Sequence, residues 1–346
     1  VDSLVVQGGG LKSSGSVTIK PDGGLDRALF GSVQIGNWFN GQVELIGRGA
    51  AAPAVRVRSG RLDLRTADFG SGSAGGSGSG SGPIDIALDT LQITDSISLA
   101  GFSGSFTTAR GLTGDFRGRV NGQTGVTGQV VPQNGGSAFR IRSNDAGGVF
   151  RSAGLLRQGR GGDFSLTLLP ADQAGQFDGT LRVTDTRVKD APAIAALLNS
   201  ISVIGLVDEL TGQGIQFTEV DAKFRLAPSR LTLYSSSAVG PSMGISMDGT
   251  YNVPTGQLDM QGVISPIYML NAIGSVLTRK GEGLIGFNYR LRGTASDPSV
   301  SVNPLSALAP GMFREIFRAP PPQDPNKPAR PQTPPASSAA PPDAGR

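Results

Sequence analysis

Cysteine and histidine are both absent from the 346 residues. Without imidazole or thiol, the chain cannot build a histidine-based triad, a cysteine nucleophile, an ordinary zinc site or a disulfide framework. No cofactor is expected. Charge is also scarce, at 17% against about 25% in a typical soluble domain, so Ser, Thr, Gln, Asn and Gly must supply much of the wet surface. The 31 basic residues exceed the 27 acidic ones by four and never form a run of five. No nucleic-acid partner is expected from so diffuse an excess. Long apolar runs are missing as well. The uncharged apolar stretch Ala191–Val207 is interrupted by Pro192, Asn199, Ser200 and Ser202, and a bilayer span needs about 20 mostly apolar residues. Val1 is not followed by a charged and then apolar leader pattern, and the chain reads as a fragment or mature portion.

Glycine is abundant, at 52 residues, whereas ten of the 23 prolines fall after Arg318. A Gly-rich, Pro-poor body suits many turns. Alternation of apolar and polar residues dominates it. Met243, Ile245, Met247, Gly249, Tyr251 and Val253 share one parity; Pro254–Gln257 reads as a turn; Leu258, Met260, Gly262 and Ile264 then alternate again. This is a hairpin with one apolar face. The same one-sided pattern recurs at Val55/Val57, Ile84/Ile86/Leu88, Phe224/Leu226, Leu231/Leu233, Ile285/Phe287/Tyr289/Leu291 and Val300/Val302. The expected fold is mainly β: a long, mostly antiparallel sheet of about 25 strands at ~12 residues per strand and turn, some 120 Å long at ~4.8 Å per strand. Residues 91–96 and 181–186 echo one another, but two copies set no period. Residues 71–82, nearly all Gly and Ser, read as a flexible loop or linker, which separates a β-rich segment 1–70 from a larger region 83–318. Residues 319–346 read as a disordered Pro-rich tail, dispensable for folding.

Three segments carry helical rather than strand periodicity. Asp190 and Pro192 open a helix near 191–211 with Ile194, Leu197, Leu198, Ile201 and Ile204 on one stripe. Ser265 and Pro266 open a second over 266–280, with Leu270, Ile273 and Leu277 on one face, cations Arg279 and Lys280 in its last turn, and Gly281 after it. Asn303 and Pro304 open a third over 304–318, which includes Phe313 and Phe317.

Motifs that suggest chemistry each have a plainer reading. Gly281–Gly286 matches G-x-G-x-x-G, but a helix precedes it and a strand follows, the reverse of a dinucleotide site. In Gly8–Ser13, Leu11 separates Gly10 from Lys12, so the phosphate cradle of a Walker loop is not formed. The carboxylate pairs Asp85/Asp89 and Asp208/Glu209 could in principle serve a glycan-active enzyme; solvated surface is the simpler account. Arg56, Arg58, Arg61 and Arg65 form either a basic face toward lipid headgroups or, more economically, a charge-protected strand edge.

From Asp178 to Arg318 the chain resembles the C-terminal region of the AsmA-like proteins, the group that includes YhdP and TamB, in its alphaproteobacterial form. The residues that carry this are Val188–Pro192 leading to Leu197–Asn199, Gly212–Phe217, Gly240–Gly249, Ser265–Asn271, Gly281–Phe287 and Val302–Ser306; Asn144–Gly148 and Gly161–Phe164 match more loosely. The family's usual N-terminal anchor is missing from this chain. The resemblance implies a non-enzymatic periplasmic protein, held to the inner membrane by that anchor. Its β-sheet would curl into an apolar-lined groove that carries phospholipid toward the outer membrane. The expected partners are phospholipid, an inner or outer membrane surface, and periplasmic or membrane proteins of unspecified identity. Candidate groove residues are Met243, Ile245, Met247, Tyr251, Val253, Leu258, Met260, Ile264, Phe287 and Tyr289. Leu197, Leu198, Ile201, Ile204, Leu270, Ile273, Leu277, Phe313 and Phe317 are candidates for helices that seal the groove or touch a membrane. The rival reading is a structural or adhesive sheet with a filled core and no ligand.

Overall fold

The computed structural model describes residues 3–67, 82–173, 175–266, 280, 285–294, 297–308 and 318–326. They form a mainly β structure. Its first half contains β1 (Leu4–Gly8), β2 (Leu11–Ile19), β3 (Leu25–Ile35), β4 (Phe39–Arg48), β5 (Ala51–Asp63), β6 (Pro83–Gln92), β7 (Ser98–Thr107), β8 (Thr113–Val120), β9 (Thr124–Gln133) and β10 (Gly136–Ser143). Helix α1 (Ala146–Ser152) follows, then β11 (Gly159–Arg160), β12 (Asp163–Pro170) and β13 (Phe177–Val188). Helices α2 (Pro192–Ser200) and α3 (Ile204–Thr211) precede β14 (Ile215–Ala227), β15 (Arg230–Val239), β16 (Met243–Asn252), β17 (Gln257–Pro266), β18 (Phe287–Thr294) and β19 (Pro298–Asn303), and a short 3-10 helix occupies Pro304–Leu308.

The strands pair in chain order, each antiparallel to the next except β5 and β6, which run parallel. The short β11 and the longer β12 lie in tandem along β13, joined through Gly161 and Gly162. No register joins β1 to β19 among the described residues, so the sheet is open. At ~4.8 Å per strand it would extend about 80 Å if flat. Among the described residues there are 19 strands rather than about 25, because several run to 10–13 residues. β5 pairs directly with β6, Val55 opposite Ile84, across the Gly/Ser segment. That segment lies outside the described residues apart from Gly82.

Partners in register share a face, and one face is apolar throughout. Two interruptions keep it so. At β7 the register slips between Ala100 and Ser103, and Gly101 takes φ +58°, a left-handed conformation that glycine adopts without strain. The slip lets both Leu99 and Phe102 face the core. In β13, Asp185 at φ +54° does the equivalent, turning Val188 toward the second core.

Two clusters bury this face. The first spans β3 to β13 under α1, with Val130, Val183 and Ala146 almost fully buried. Asp145 caps α1 by accepting from the Gly148 N–H at 2.8 Å. The second cluster lies under α2 and α3, where Leu198, Leu210, Ile215, Met243 and Ile264 are inaccessible. The single helix expected near 191–211 is two helices. The chain breaks at Ser202 (φ +57°), and the α2 N-cap is Ala191, with Pro192 in the first turn, rather than Asp190. The break lets the pair contact both β14 and β19. Ser265 and Pro266 complete β17 opposite Gly244 and Met243, and the helix expected over 266–280 lies, apart from Pro266 and Lys280, outside the described residues. Of the third expected helix, the described part is the 3-10 turn, whose Leu305 N–H is capped by Asn303 at 3.1 Å. Residues 267–279 and 309–317 lie outside the described residues.

The tail is not free from 319 onward. Arg318 pairs with Asp248, both buried. The Ala319 N–H donates to Gln261 at 3.1 Å and its carbonyl accepts from Gln261 Nε2 at 2.7 Å; Asn326 Nδ2 then donates to Asp178 at 2.7 Å. Residues 318–326 thus form a strap across the polar face from β16 to β13. A Pro-rich strand keeps its carbonyls unpaired, and polar side chains on the sheet supply the donors. Residues 327–346 lie outside the described residues.

Candidate functional site

The apolar face between β13 and β19 is built in rows, one residue per strand. One row runs Phe177, Leu226, Leu231, Tyr251, Leu258; the next Gly179, Phe224, Leu233, Gly249, Met260, Leu291, Val300. A third runs Leu181, Ala222, Ser236, Met247, Gly262, Tyr289, Val302, and a fourth Val183, Val220, Ala238, Ile245, Ile264, Phe287.

Large rings in these rows lie over glycines on the adjoining strand. Phe224 covers Gly179, Phe116 covers Gly128 in the first half, and Tyr289 crosses Gly262 so that its hydroxyl donates to the Ser246 carbonyl at 2.8 Å. A Cβ at Gly179 or Gly128 would overlap the ring, and one at Gly262 would overlap the Ser246 carbonyl and crowd the Tyr289 hydroxyl. Glycine at these positions lets the aromatics lie flat on this face.

The candidate groove residues divide. Met243, Met260, Ile264 and Tyr289 are buried, the first and third completely, and Met243, Ile264 and Tyr289 belong to the core beneath α2 and α3. They are not open wall, because the helix pair covers that end. Ile245, Met247, Tyr251, Leu258 and Phe287 are half-buried on the apolar face. Val253 lies in the turn after β16, 43% exposed, and takes no part. Phe177, Phe224, Leu226, Leu231 and Leu233 complete the same rows. Their parity was visible in the sequence, but which strands lie beside them was not.

Leu197 and Leu198 are core residues rather than a membrane-facing stripe, and Ile201 packs against the same cluster. Apolar side chains on a helix seated over an apolar sheet face are drawn to that face. The side chain of Ile204, and Leu270, Ile273, Leu277, Phe313 and Phe317, lie outside the described residues. Among the described residues no helix is long and apolar enough to cross a membrane.

The opposite face is polar and heavily ion-paired. Glu44 on β4, with no exposed side-chain area, is met by Arg27, Arg56 and Arg58, the last at 2.6 Å. The Arg58 hydrogen bond, with the neighbouring guanidinium charges, holds its carboxyl below the usual range. Arg65 bonds Asp63 at 2.6 Å and lowers its pKa to about 2. Arg225 and Arg290 likewise lower Asp178 and Asp259. Arg56, Arg58 and Arg61 therefore do not guard an edge. β5 has a neighbour on each side, and these arginines, with Arg65 just beyond the strand, neutralise carboxylates. Near β16–β18 the polar face is itself covered: the Asn288 N–H donates to Ser306 of the 3-10 turn at 2.8 Å, and the strap lies over Asp248. Ser246 and Asp248 do point away from the apolar wall, but not into solvent.

The carboxylate pairs do not converge. Asp85 accepts from Ser105 and Asp89 from the Gly60 N–H, and four residues along a strand span ~13 Å, beyond the reach of a paired acid and base. Glu209 accepts from Ser242 at 2.8 Å. No cluster of three or more His, Cys, Asp or Glu suited to a metal occurs among the described residues. Comparison with protein-family models, curated proteins and solved structures finds no match to this chain.

Proposed function

We propose that the protein is a non-enzymatic lipid-transfer protein whose apolar sheet face shelters the acyl chains of phospholipid, with the periplasm between inner and outer membrane as its place of action. The observation that carries this reading is the half-buried state of the wall from Phe177 through Tyr251 and Leu258, in rows that continue from strand to strand with no charged residue among them. A closed core would bury such side chains, as the α2–α3 end does. A solvated surface would not be apolar.

The physical gain is large. Two acyl chains of ~16 carbons, at ~0.8 kcal/mol per CH₂, make a lone phospholipid in water costlier than in a bilayer by on the order of 20 kcal/mol. A wall that keeps the chains dry lowers that barrier while the headgroup stays in water. No covalent step is required.

The second reading, a structural sheet with a filled core, is favoured by the complete burial of Met243, Ile264, Val183 and Val130. Photocrosslinkers separate the two. Placed at Met247 or Leu258, they are expected to capture phospholipid, and placed at Asp259, exposed on the polar face of the same hairpin, they are not. Equal capture from both faces, or none from either together with lipid-free purified protein by mass spectrometry, rejects the conduit and leaves the scaffold.

A further inference from the structure

We infer that the polar face between β6 and β13 holds a phosphate-binding furrow, in which Arg117 and Arg142 hold a phosphate group between them. Thr127 on β9 stands in register with Arg117 on β8 and with Arg142 on β10. At ~4.8 Å per strand the two guanidinium-bearing positions flank Thr127 symmetrically, about 10 Å apart. Two adjoining concavities of 760 and 880 Å³ share these three residues. Arg140 lines only the first and Arg119 only the second. The lipid wall lies on the other face of the sheet, so this site does not depend on the conduit reading.

Charge sets the furrow apart from the rest of its face. Six arginines and three aspartates line it; Arg56 pairs with Glu44 and Asp85 and Arg182 with Glu219, so its unneutralised charge is that of the other four. Elsewhere on this face arginines meet carboxylates: three at Glu44, two at Asp63, two at Asp259, one at Asp178. Among the described residues no carboxylate lies within ion-pair distance of Arg117, Arg119, Arg140 or Arg142. Asp115, the nearest acid in the lattice of strands, is held instead by Gln129 Nε2 at 2.9 Å. Arg117 Nε donates to Ser103 Oγ at 3.0 Å, which fixes the guanidinium plane and leaves its terminal N–H groups for a ligand. Like charges gathered on neighbouring strands destabilise a sheet, and a bound anion removes that repulsion.

Phosphate is the anion this geometry suits. Guanidinium groups bind it through paired N–H bonds. The arginines line two adjoining hollows, which favours a discrete phosphate ester over a flat headgroup layer that would meet only the rim.

Calorimetric titration of the full chain with glycerol 3-phosphate at low salt tests this. Saturable binding is expected for the parent and for Arg110→Gln, which removes equal charge from an exposed turn outside the furrow. At least about a tenfold loss of affinity is expected for Arg117→Gln and Arg142→Gln. Arg142→Lys, which keeps the charge and loses the fork, should fall between and serves if the glutamine variant does not fold. No saturable binding by the parent, an equal loss in Arg110→Gln, or binding to phosphatidylglycerol vesicles but not to glycerol 3-phosphate overturns the site.

Discussion

Glycines beneath aromatic rings make a prediction whose sign can be worked from the structure. Gly128 on β9 faces Phe116 on β8 in register. A Cβ added there would stand 2.5 and 2.6 Å from two carbons of the ring, against the ~3.5–4.0 Å of ordinary carbon contacts, so the ring must retreat by about 1 Å. It has little room, because Phe102 packs against it at a centroid distance of 5.6 Å. Overpacking of this kind costs about 1–3 kcal/mol. Alanine in a strand is otherwise favoured over glycine by about 0.5–1 kcal/mol. At Gly125, on the same strand, an added Cβ meets nothing within 4 Å. Gly128→Ala is therefore expected to lower the calorimetric midpoint by about 1–3 °C, at about 1.4 °C per kcal/mol for a chain of 346 residues. Gly125→Ala should raise it slightly. Adding Phe116→Leu to Gly128→Ala should cost less than the two separate losses together. If Gly128→Ala and Gly125→Ala shift the midpoint in the same direction, ring-over-glycine packing does not set the height of the wall.

Two further predictions concern the polar face. Asp63 is held by Arg65 at a pKa of about 2, against 3.8 when unperturbed. A depressed folded pKa gives stability that is present above the unfolded value and lost as pH falls toward the folded one. The parent should lose more of its thermal midpoint than Asp63→Asn between about pH 4 and about pH 2; parallel acid limbs would refute the assignment. Arg318→Ala removes one side of a buried ion pair with Asp248 and should cost about 3 kcal/mol, read as a lower denaturation midpoint in urea. Deleting 327–346, whose Pro-rich composition gives it little to bury, should cost almost nothing, and a comparable loss from that deletion would place the anchoring of the tail beyond Asn326.

What the sequence made legible was what is local and periodic. Alternation alone located the β16–β17 hairpin and its apolar parity, because a strand's two faces are written at a spacing of two residues. It could not show that Met243 and Ile264 sit under helices while Met247 and Leu258 do not, since that depends on where α2 and α3 dock. The break at Ser202 was hidden because the stripe from Ile194 to Ile204 keeps helical spacing straight through it. α1 was missed for the opposite reason. Gly147 and Gly148 weaken its helical signal, yet Gly147 is needed where the helix crosses β11: a Cβ there would come 2.5 Å from the Arg160 Cα. Ala319 looked like the start of a free tail because its partner, Gln261, is 58 residues away in sequence. The arginine furrow is likewise invisible along the chain, since Arg117, Thr127 and Arg142 meet only through the registers of three strands.

The balance between conduit and closed core turns on how one sheet hides one apolar face. The three α-helices among the described residues have seven, nine and eight residues, which at 1.5 Å per residue gives about 36 Å of helix, each about 10 Å wide. A sheet of some 80 Å with strands of about ten residues offers a face several times larger than that helix footprint. The described helices therefore seal parts of the face, above all the end between β14 and β19, and are too small to cover all of it. Along the rows that the described helices leave open the wall residues are half-buried rather than exposed, so neighbouring side chains provide part of the shelter. Glycine sets how much space remains, because each flat ring over a glycine lowers the wall by the thickness of a side chain. A sheet meant only to close on itself would gain by filling those positions with larger aliphatic residues, since close packing is what stabilises a core. Spending glycine on a low wall is a cost that a space kept for mobile acyl chains would explain.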